Sequence, residues 1–554
     1  VMRDPQNIAN HLAHMAKAQP SALAVAIQHH LGFSRQASFT ELSFSQLDQE
    51  CDHACWALQG FGIKATDKVV LMVTPSVDFF ALTFALFRLG AVPIFVDPGM
   101  GINNLKQCFE EAKPDHFIGI SKAHIARVLF GWGKTSIKSH LAVAKHSWLT
   151  TFAGIKRTYP NQGSFVAPAH EANAMAAILF TSGSTGTPKG VVYSHEMFNA
   201  QIAALRDDYG IRPGERDLAT FPLFALFGPA LGMASIIPDM DASKPITANP
   251  DYIKHAIDHY QCSNLFANPA LLNILGQAGN TQHWQLKSIK RVISAGAPAT
   301  PESIELFQSM LMPKVEIWTS YGATESLPIS KIGSHELLRD TQQHTREGGG
   351  ICVGYPIADV TIDIIAITDE PIALLSQAQL LKEGQIGEII VKGAVVSRQY
   401  YHRDNATLSS KIDDDIQGGH YHRMGDLGYL DDAGKLWMCG RKSHRVSLPS
   451  GDLFTLCCER IFNEHTKVSR TALVEVSVGQ TAQAALCIEA NTPLDTQQKA
   501  QVIAELQQLA AQQAHTKQIQ HFFFHRAFPV DVRHNAKIFR EKLSVWAQQE
   551  LEKQ

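Results

Sequence analysis

The sequence predicts an α/β protein with a large N-terminal region over residues 1–441, a β-rich stretch within it at about 355–440, and a smaller α+β unit over 442–554. Three observations predict this layout. Through the first two thirds, short apolar runs alternate with helical patterns, as expected for helices covering sheets. Between Val360 and Leu436 the texture changes to short strands divided by turn residues. After Arg441 a loop, "KSHRVSLPSGD", sets the C-terminal unit apart from the rest.

In chain order, "KVVLMVT" reads as a strand, succeeded by a helix at about residues 77 to 90 and a strand at Val92 to Val96. Asp78 and Arg88 interrupt that apolar run, so a buried helix is expected rather than a transmembrane span. "AAILFTS", "SNLFANP" and "RVISAGAP" repeat the pattern of a strand and then small residues. "VTIDIIAI", "GEIIVKG" and "GKLWMCG" are the strands of the β-rich stretch. The C-terminal unit carries strands at "TALVEV" and "AALCIEA", a polar helix around Gln497 to Gln513, a strand at "HFFFHRAF" and a final helix.

Bulk properties narrow the class. An apolar fraction of 45% over 554 residues is ordinary for a globular enzyme. A net charge of −3 gives no sign of nucleic acid or an anionic membrane as an obligate partner. The nine cysteines are irregularly spaced and form no CxxC pair, so no zinc site is expected and a reduced, cytoplasmic protein fits. The first residues contain no apolar segment of the secretory type.

The chemistry concentrates in "ILFTSGSTGTPKGVVYSH", Ile178 to His195. Three glycines, a proline, a lysine and several hydroxyl side chains in Thr181 to Gly190 suit polyphosphate. A P-loop would need Gly-Lys-Ser/Thr opening a helix. Here Lys189 is followed by Gly190 and the β-branched "VV", so strand, glycine-rich turn, strand is the reading. Backbone N–H groups and hydroxyls of such a hairpin can donate to phosphate oxygens, and Lys189 adds a point charge.

"TSGSTGTPKG" resembles the phosphate loop of the acyl-adenylate-forming superfamily, which includes acyl-CoA synthetases, peptide-synthetase adenylation domains and luciferases. Four further segments resemble that superfamily in the same order: "SAGAP" (Ser294 to Pro298), "SYGATES" (Ser320 to Ser326), "YHRMGDLGYLDDAGKLWMCGR" (Tyr421 to Arg441) and "FPVDVRHNAKIFREKL" (Phe528 to Leu543). The resemblance implies two α/β sheets plus the β-rich subdomain, and a mobile C-terminal lid. It implies ATP and Mg²⁺ as cofactors. Thr181, Ser182, Gly183, Ser184, Thr185, Gly186 and Lys189 would hold phosphates. Gly296, Ala297 and Pro298 would flank the adenine, and Tyr321, Gly322 and Thr324 would contact AMP. Asp426 would accept the ribose hydroxyls, and Arg441 would reach the ribose or the α-phosphate. Glu325, with the Thr181 hydroxyl, would hold the metal. Lys537 would swing in on the small unit and neutralise charge as the carboxylate attacks the α-phosphate.

Departures from the superfamily pattern bear on the acid and the acceptor. "FPLFALFGPALGM" has Ala225 where acyl-CoA synthetases usually carry histidine. Phe221, Ala225, Leu226, Phe227 and Gly228 either line a channel for a long alkyl chain or pack the core. Ser443 stands where the hinge aspartate is usual, and "HRVSLPSGDLF" replaces the segment that admits a thiol, which bears against a CoA half-reaction. No carrier domain follows Lys537 here, so a peptide-synthetase module is not expected. The details are most similar to one subgroup, the β-lactone synthetases of bacterial long-chain olefin biosynthesis. That resemblance implies a long-chain 2-alkyl-3-hydroxy acid as substrate, ring closure by its own 3-hydroxyl, and partners in a multienzyme assembly. His195 is a candidate base for the 3-hydroxyl, or else a structural histidine. A long- or medium-chain acyl-CoA synthetase is the alternative.

Overall fold

The computed structural model describes residues 7–30, 37–181, 187–530 and 537–553. The expected strand and helix after Lys68 form as Lys68–Met72 and Val77–Leu89. The helix starts because the Ser76 side chain accepts from Phe79 N, and it stops at Gly90, which takes φ +78°. Every residue from Phe79 to Leu89 is buried. Arg88 is accommodated there by Asp52 and Asp48, at 2.7 and 2.6 Å.

This helix covers a six-stranded sheet. The strand order is Ser139–Ala142, His116–Gly119, Lys68–Met72, Val92–Phe95, Met175–Phe180, Gly190–Ser194. The first five run parallel, and the last turns back antiparallel on its neighbour. That final pair is the hairpin expected from the glycine-rich stretch.

The second sheet has fourteen strands. Its parallel centre comprises Arg216–Ala219, Asn264–Phe266, Arg291–Ser294 and Glu316–Ala323. It continues antiparallel through Ser326–Gly333 and Ile351–Pro356 into Leu436–Arg441, His420–Leu430, Gly387–Lys392 and Thr361–Ile365. The β-rich stretch is therefore not a free-standing sheet. The register pairs Ser330↔Pro356 and Lys331↔Tyr355 join it to the α/β part.

The C-terminal unit has its own three-stranded sheet, Val468–Val478, Thr481–Ala490 and Ile519–Phe524, with helices Thr455–Asn463, Thr496–Ala511 and Arg540–Glu552. The segment expected as a loop after Arg441 instead forms a short hairpin, Val446–Leu448 with Gly451–Leu453. Val446 and Leu453 are buried in the core of this unit, so apolar burial orders a stretch whose polar residues read as loop. Lys442, at the junction, donates to Glu388 Oε2 (3.2 Å) and Thr368 O (2.9 Å). Glu388 also holds the buried Arg423 through both carboxylate oxygens.

Candidate active site

The phosphate hairpin meets the end of the second sheet. Its base is closed by Thr181 N donating to Lys189 O at 2.9 Å. A side chain at Gly190 would meet Ile178 Cγ2 at 2.9 Å and the Phe180 ring at 3.1 Å, so close packing there demands glycine. Ser182, Gly183, Ser184, Thr185 and Gly186 lie outside the described residues. Lys189 is described, and its Nζ sits 5.0 Å from the centre of the Tyr400 ring.

Tyr400 reaches this place through backbone pairing. Tyr401 N donates to Gly190 O (2.7 Å), and Val191 bridges Tyr400. The Tyr400 hydroxyl donates to Glu325 Oε1 at 2.7 Å. Tyr193, from the hairpin, donates to Thr324 O at 2.5 Å. The Thr324–Glu325 turn is thus tied at two points to the phosphate hairpin. Burial, together with the Glu325 charge, raises the Tyr400 phenol far above its ordinary value, so it remains a donor.

Behind Tyr400 lies Lys411, whose Nζ donates to Ser397 O (2.5 Å) and Ser397 Oγ (3.1 Å) and to His422 Nδ1 (3.0 Å). Burial lowers Lys411 to about 7, against a weaker opposing pull from Glu325. Sequence reasoning missed Tyr400, Tyr193 and Lys411. Their roles come from contacts between distant segments, and no local motif marks them.

Asp426 lies on His420–Leu430 opposite Arg441, its register partner. One carboxylate oxygen accepts from the Tyr321 hydroxyl (2.6 Å) and the other from Arg441 Nη1 (2.7 Å). Tyr321 is 8% exposed and packs among Ile329, Val353 and Ile389. Its edge is therefore committed to Asp426. The Asp426 charge, followed by its hydrogen bond, raises Arg441, and Tyr321 and Glu325 add to the same field. Gly425, next to Asp426, has φ +69° and open space where a Cβ would stand. A cavity of about 380 Å³ connects Lys189 with Arg423, Gly425 and Lys442.

The segment "SAGAP" begins at the end of the strand Arg291–Ser294. Ser294 ends its strand and is paired in register with Thr319. Both hydroxyls are buried, and neither has a hydrogen-bond partner among the described residues. They stand where parallel strands end, the place at which such sheets receive ligands. Gly296 follows at φ +102° with no atom within 4 Å of its absent Cβ, leaving Ala297 and Pro298 to carry the turn. Gly322 fits for a different reason, since a Cβ there would meet Leu327 at 2.6 Å.

Lys537 is described and partly buried. It approaches from the C-terminal unit. Burial chiefly lowers His444 to about 4, and the charges of Arg540, Arg441 and Lys537 lower it further. The charges of Lys537 and Arg441 thus both reach His444.

Two further sets of candidates have largely buried surroundings. His195 opens the helix His195–Asp207 and is 3% exposed. Its Nδ1 accepts from Ile8 N at 3.3 Å, and its ring stacks on His170 with centroids 4.9 Å apart. Burial, then the His170 charge, holds it near 4. The ring is thus neutral, buried and in contact with Ile8 and His170. The second set belongs to the apolar segment, which forms the helix Pro222–Leu231. Ala225, Leu226 and Gly228 are buried in it, and a Cβ at Gly228 would run into Ser235 Oγ. Ala225 accepts a hydrogen bond through its carbonyl from that same Ser235 hydroxyl, at 2.6 Å. Small residues here let the helix sit close on the sheet. Phe221 is 46% exposed and stacks on Phe266, as does Phe224, whose ring in turn meets Phe227 edge-on. Of these aromatic residues Phe221 faces outward, while Phe224 is buried and Phe227 packs against the core.

With this geometry in place, comparison with known proteins is informative. The profile of the AMP-binding enzyme family matches residues 12–401. The chain belongs to that family. Its members use ATP with Mg²⁺ in an AMP-forming reaction, and this protein is an enzyme of that kind. An olefin beta-lactone synthetase of Stenotrophomonas maltophilia (strain K279a) is 43% identical, with 100% of each chain covered. Another from Xanthomonas campestris pv. campestris is 42% identical, covering 98% of each. The fold is shared with ATP-bound MatB from Rhodopseudomonas palustris, with a TM-score of 0.77 at 18% identity and 98% and 99% of the two chains covered. The donor set suits the nucleotide and its ion. It offers an acidic residue with one oxygen accounted for by Tyr400, a lysine at the hairpin, and two partnerless hydroxyls at the strand ends.

Proposed function

We propose that the protein is an olefin β-lactone synthetase. It activates the carboxylate of a long-chain 2-alkyl-3-hydroxy acid with ATP and then closes a four-membered lactone. The observation that carries this reading is the match to a curated olefin beta-lactone synthetase along the full length of both chains. In the first step the carboxylate attacks the α-phosphorus, giving acyl-AMP and pyrophosphate. In the second, the 3-hydroxyl oxygen attacks the acyl carbon, AMP leaves, and the hydroxyl proton passes to solvent or a base.

Each residue has a part in this reading. Tyr321, Arg441 and Asp426 form a prearranged unit against which the ribose is set. Lys189 and Thr181 hold phosphate oxygens. Glu325, fixed by Tyr400, and Thr181 would hold Mg²⁺, which supplies charge neutralisation on those oxygens. Lys537 offsets the negative charge that builds between carboxylate and α-phosphate. Phe221 and Phe227 form the rim along which the alkyl chains lie. Ring closure needs no external acceptor, because the nucleophile is already tethered to the reacting carbonyl. The C-terminal unit, from residue 442, acts as the lid that brings Lys537 in. Assembly with the other enzymes of an olefin pathway is part of the same proposal.

The deciding experiment incubates the protein with Mg-ATP and a long-chain 2-alkyl-3-hydroxy acid, with and without CoA, and identifies the organic product by NMR and mass. A CoA-independent product lighter by one water, with AMP formed in equal amount, is expected. A thioester formed only with CoA would overturn the proposal in favour of an acyl-CoA synthetase.

A further inference from the structure

The net charge of −3 conceals one strongly one-sided segment. From Phe117 to His170 there is no aspartate or glutamate, while seven lysines and arginines occur. The segment includes the helix Ser121–Phe130 and the edge strand Ser139–Ala142 of the six-stranded sheet. The two are joined by His124 Nε2, which donates to Leu141 O at 2.9 Å. Among these cations Lys138 pairs with Asp115 and Lys156 with Glu50, both carboxylates from outside the segment. Lys122, Lys134 and Lys145 are exposed and have no ion pair among the described residues.

The same helix shows an apolar stripe to solvent. Ile125, Val128 and Leu129, at spacings of three and four, are 54%, 63% and 72% exposed. Trp148, in the loop leaving the edge strand, is 65% exposed. Ala123 and His124, on the opposite side of the helix, are buried. The outward face is thus as apolar as a core face, yet no part of the described chain covers it.

We propose that this face docks on an anionic phospholipid surface, the apolar stripe entering the headgroup boundary and the unpaired lysines meeting lipid phosphates. The combination of an apolar helical stripe with surrounding lysines and no acids is what an interfacial helix requires. A second copy of the chain is the poorer occupant. A two-fold interface sets the same patch against itself, and here that would oppose cation to cation. The proposal does not depend on which acid the enzyme activates.

The test is co-sedimentation of the full chain with vesicles of phosphatidylcholine alone or with about one third phosphatidylglycerol, at low and high salt. Binding to the anionic vesicles that falls about tenfold without phosphatidylglycerol, and again at high salt, is expected. The double variant Val128→Glu, Leu129→Glu should bind about tenfold more weakly, while ATP-dependent pyrophosphate release with a water-soluble acid is unchanged. Both substitutions sit at exposed positions, so the unchanged release reports an intact fold. Three results would overturn the proposal: no binding by the parent, equal binding to neutral and anionic vesicles, or equal binding by parent and variant. So would lipid-free self-association, seen by sedimentation velocity, that the double variant abolishes.

Discussion

The two walls of the proposed nucleotide site treat their polar groups in opposite ways. On the Asp426 wall both carboxylate oxygens have partners, Tyr321 and Arg441, and all three groups hold one another in place. On the Ser294 wall two buried hydroxyls, Ser294 and Thr319, have none. A buried hydroxyl without a partner costs stability, whereas a completed network contributes it. The contrast teaches that one wall is a finished scaffold, while the other carries hydroxyls that the proposed nucleotide would complete.

The largest effect expected bears on neither wall but on what crosses between them. Lys537→Ala should lower single-turnover pyrophosphate release about 10²–10³-fold, with no change in the urea midpoint. Unaltered release would remove Lys537 from the reaction.

Next comes a pH effect at a buried site as complete as the Asp426 wall. His195 titrates near 4 in the folded protein and near 6.5 when unfolded. Because the folded pKa is depressed, the unfolded state takes up the proton first as pH falls. The stability tied to His195 is therefore full above pH 6.5 and is lost toward pH 4, by about 3 kcal/mol at most. His195→Asn should flatten that part of the urea-denaturation pH profile. An identical slope in parent and variant would count against it.

Asp426→Asn breaks the finished wall itself. It should cost about 1–3 kcal/mol in denaturant unfolding, because the Arg441 and Tyr321 donors are left poorly matched, and it should raise the KM for ATP. The smallest effect belongs to Ser294→Ala. Removing a hydroxyl that has no partner should change stability by about 0.5 kcal/mol or less, while still weakening ATP binding. If Ser294→Ala destabilises as much as Asp426→Asn, the distinction between the walls fails.

Legibility in the sequence divides along the same line, between local and distant. The hairpin Met175–Phe180 with Gly190–Ser194 and the helix Val77–Leu89 could be read, because their signals are local: glycine punctuation, a serine cap, a continuous apolar run. Asp426 and Arg441 could be read from a motif within one strand pair. Tyr400 could not, since its place beside Glu325 depends on backbone pairing with a strand more than two hundred residues earlier. The burial of His195 could not be read either, since it depends on contacts with Ile8 and His170 that no local pattern marks. Val446 and Leu453 were too few apolar residues among polar ones to announce a hairpin.

The ladder that carries Asp426, Arg441, Tyr321 and Ser294 is continuous across the expected boundary near residue 355. That has a practical meaning for recombining this enzyme with its relatives. A crossover at 355 would mate two halves of one hydrogen-bonded sheet from different parents and require both registers to agree. A crossover just beyond Lys442 leaves that ladder whole and keeps Glu388 joined to its lysine. Chimeras cut there should keep that sheet from one parent and exchange the C-terminal unit from the other.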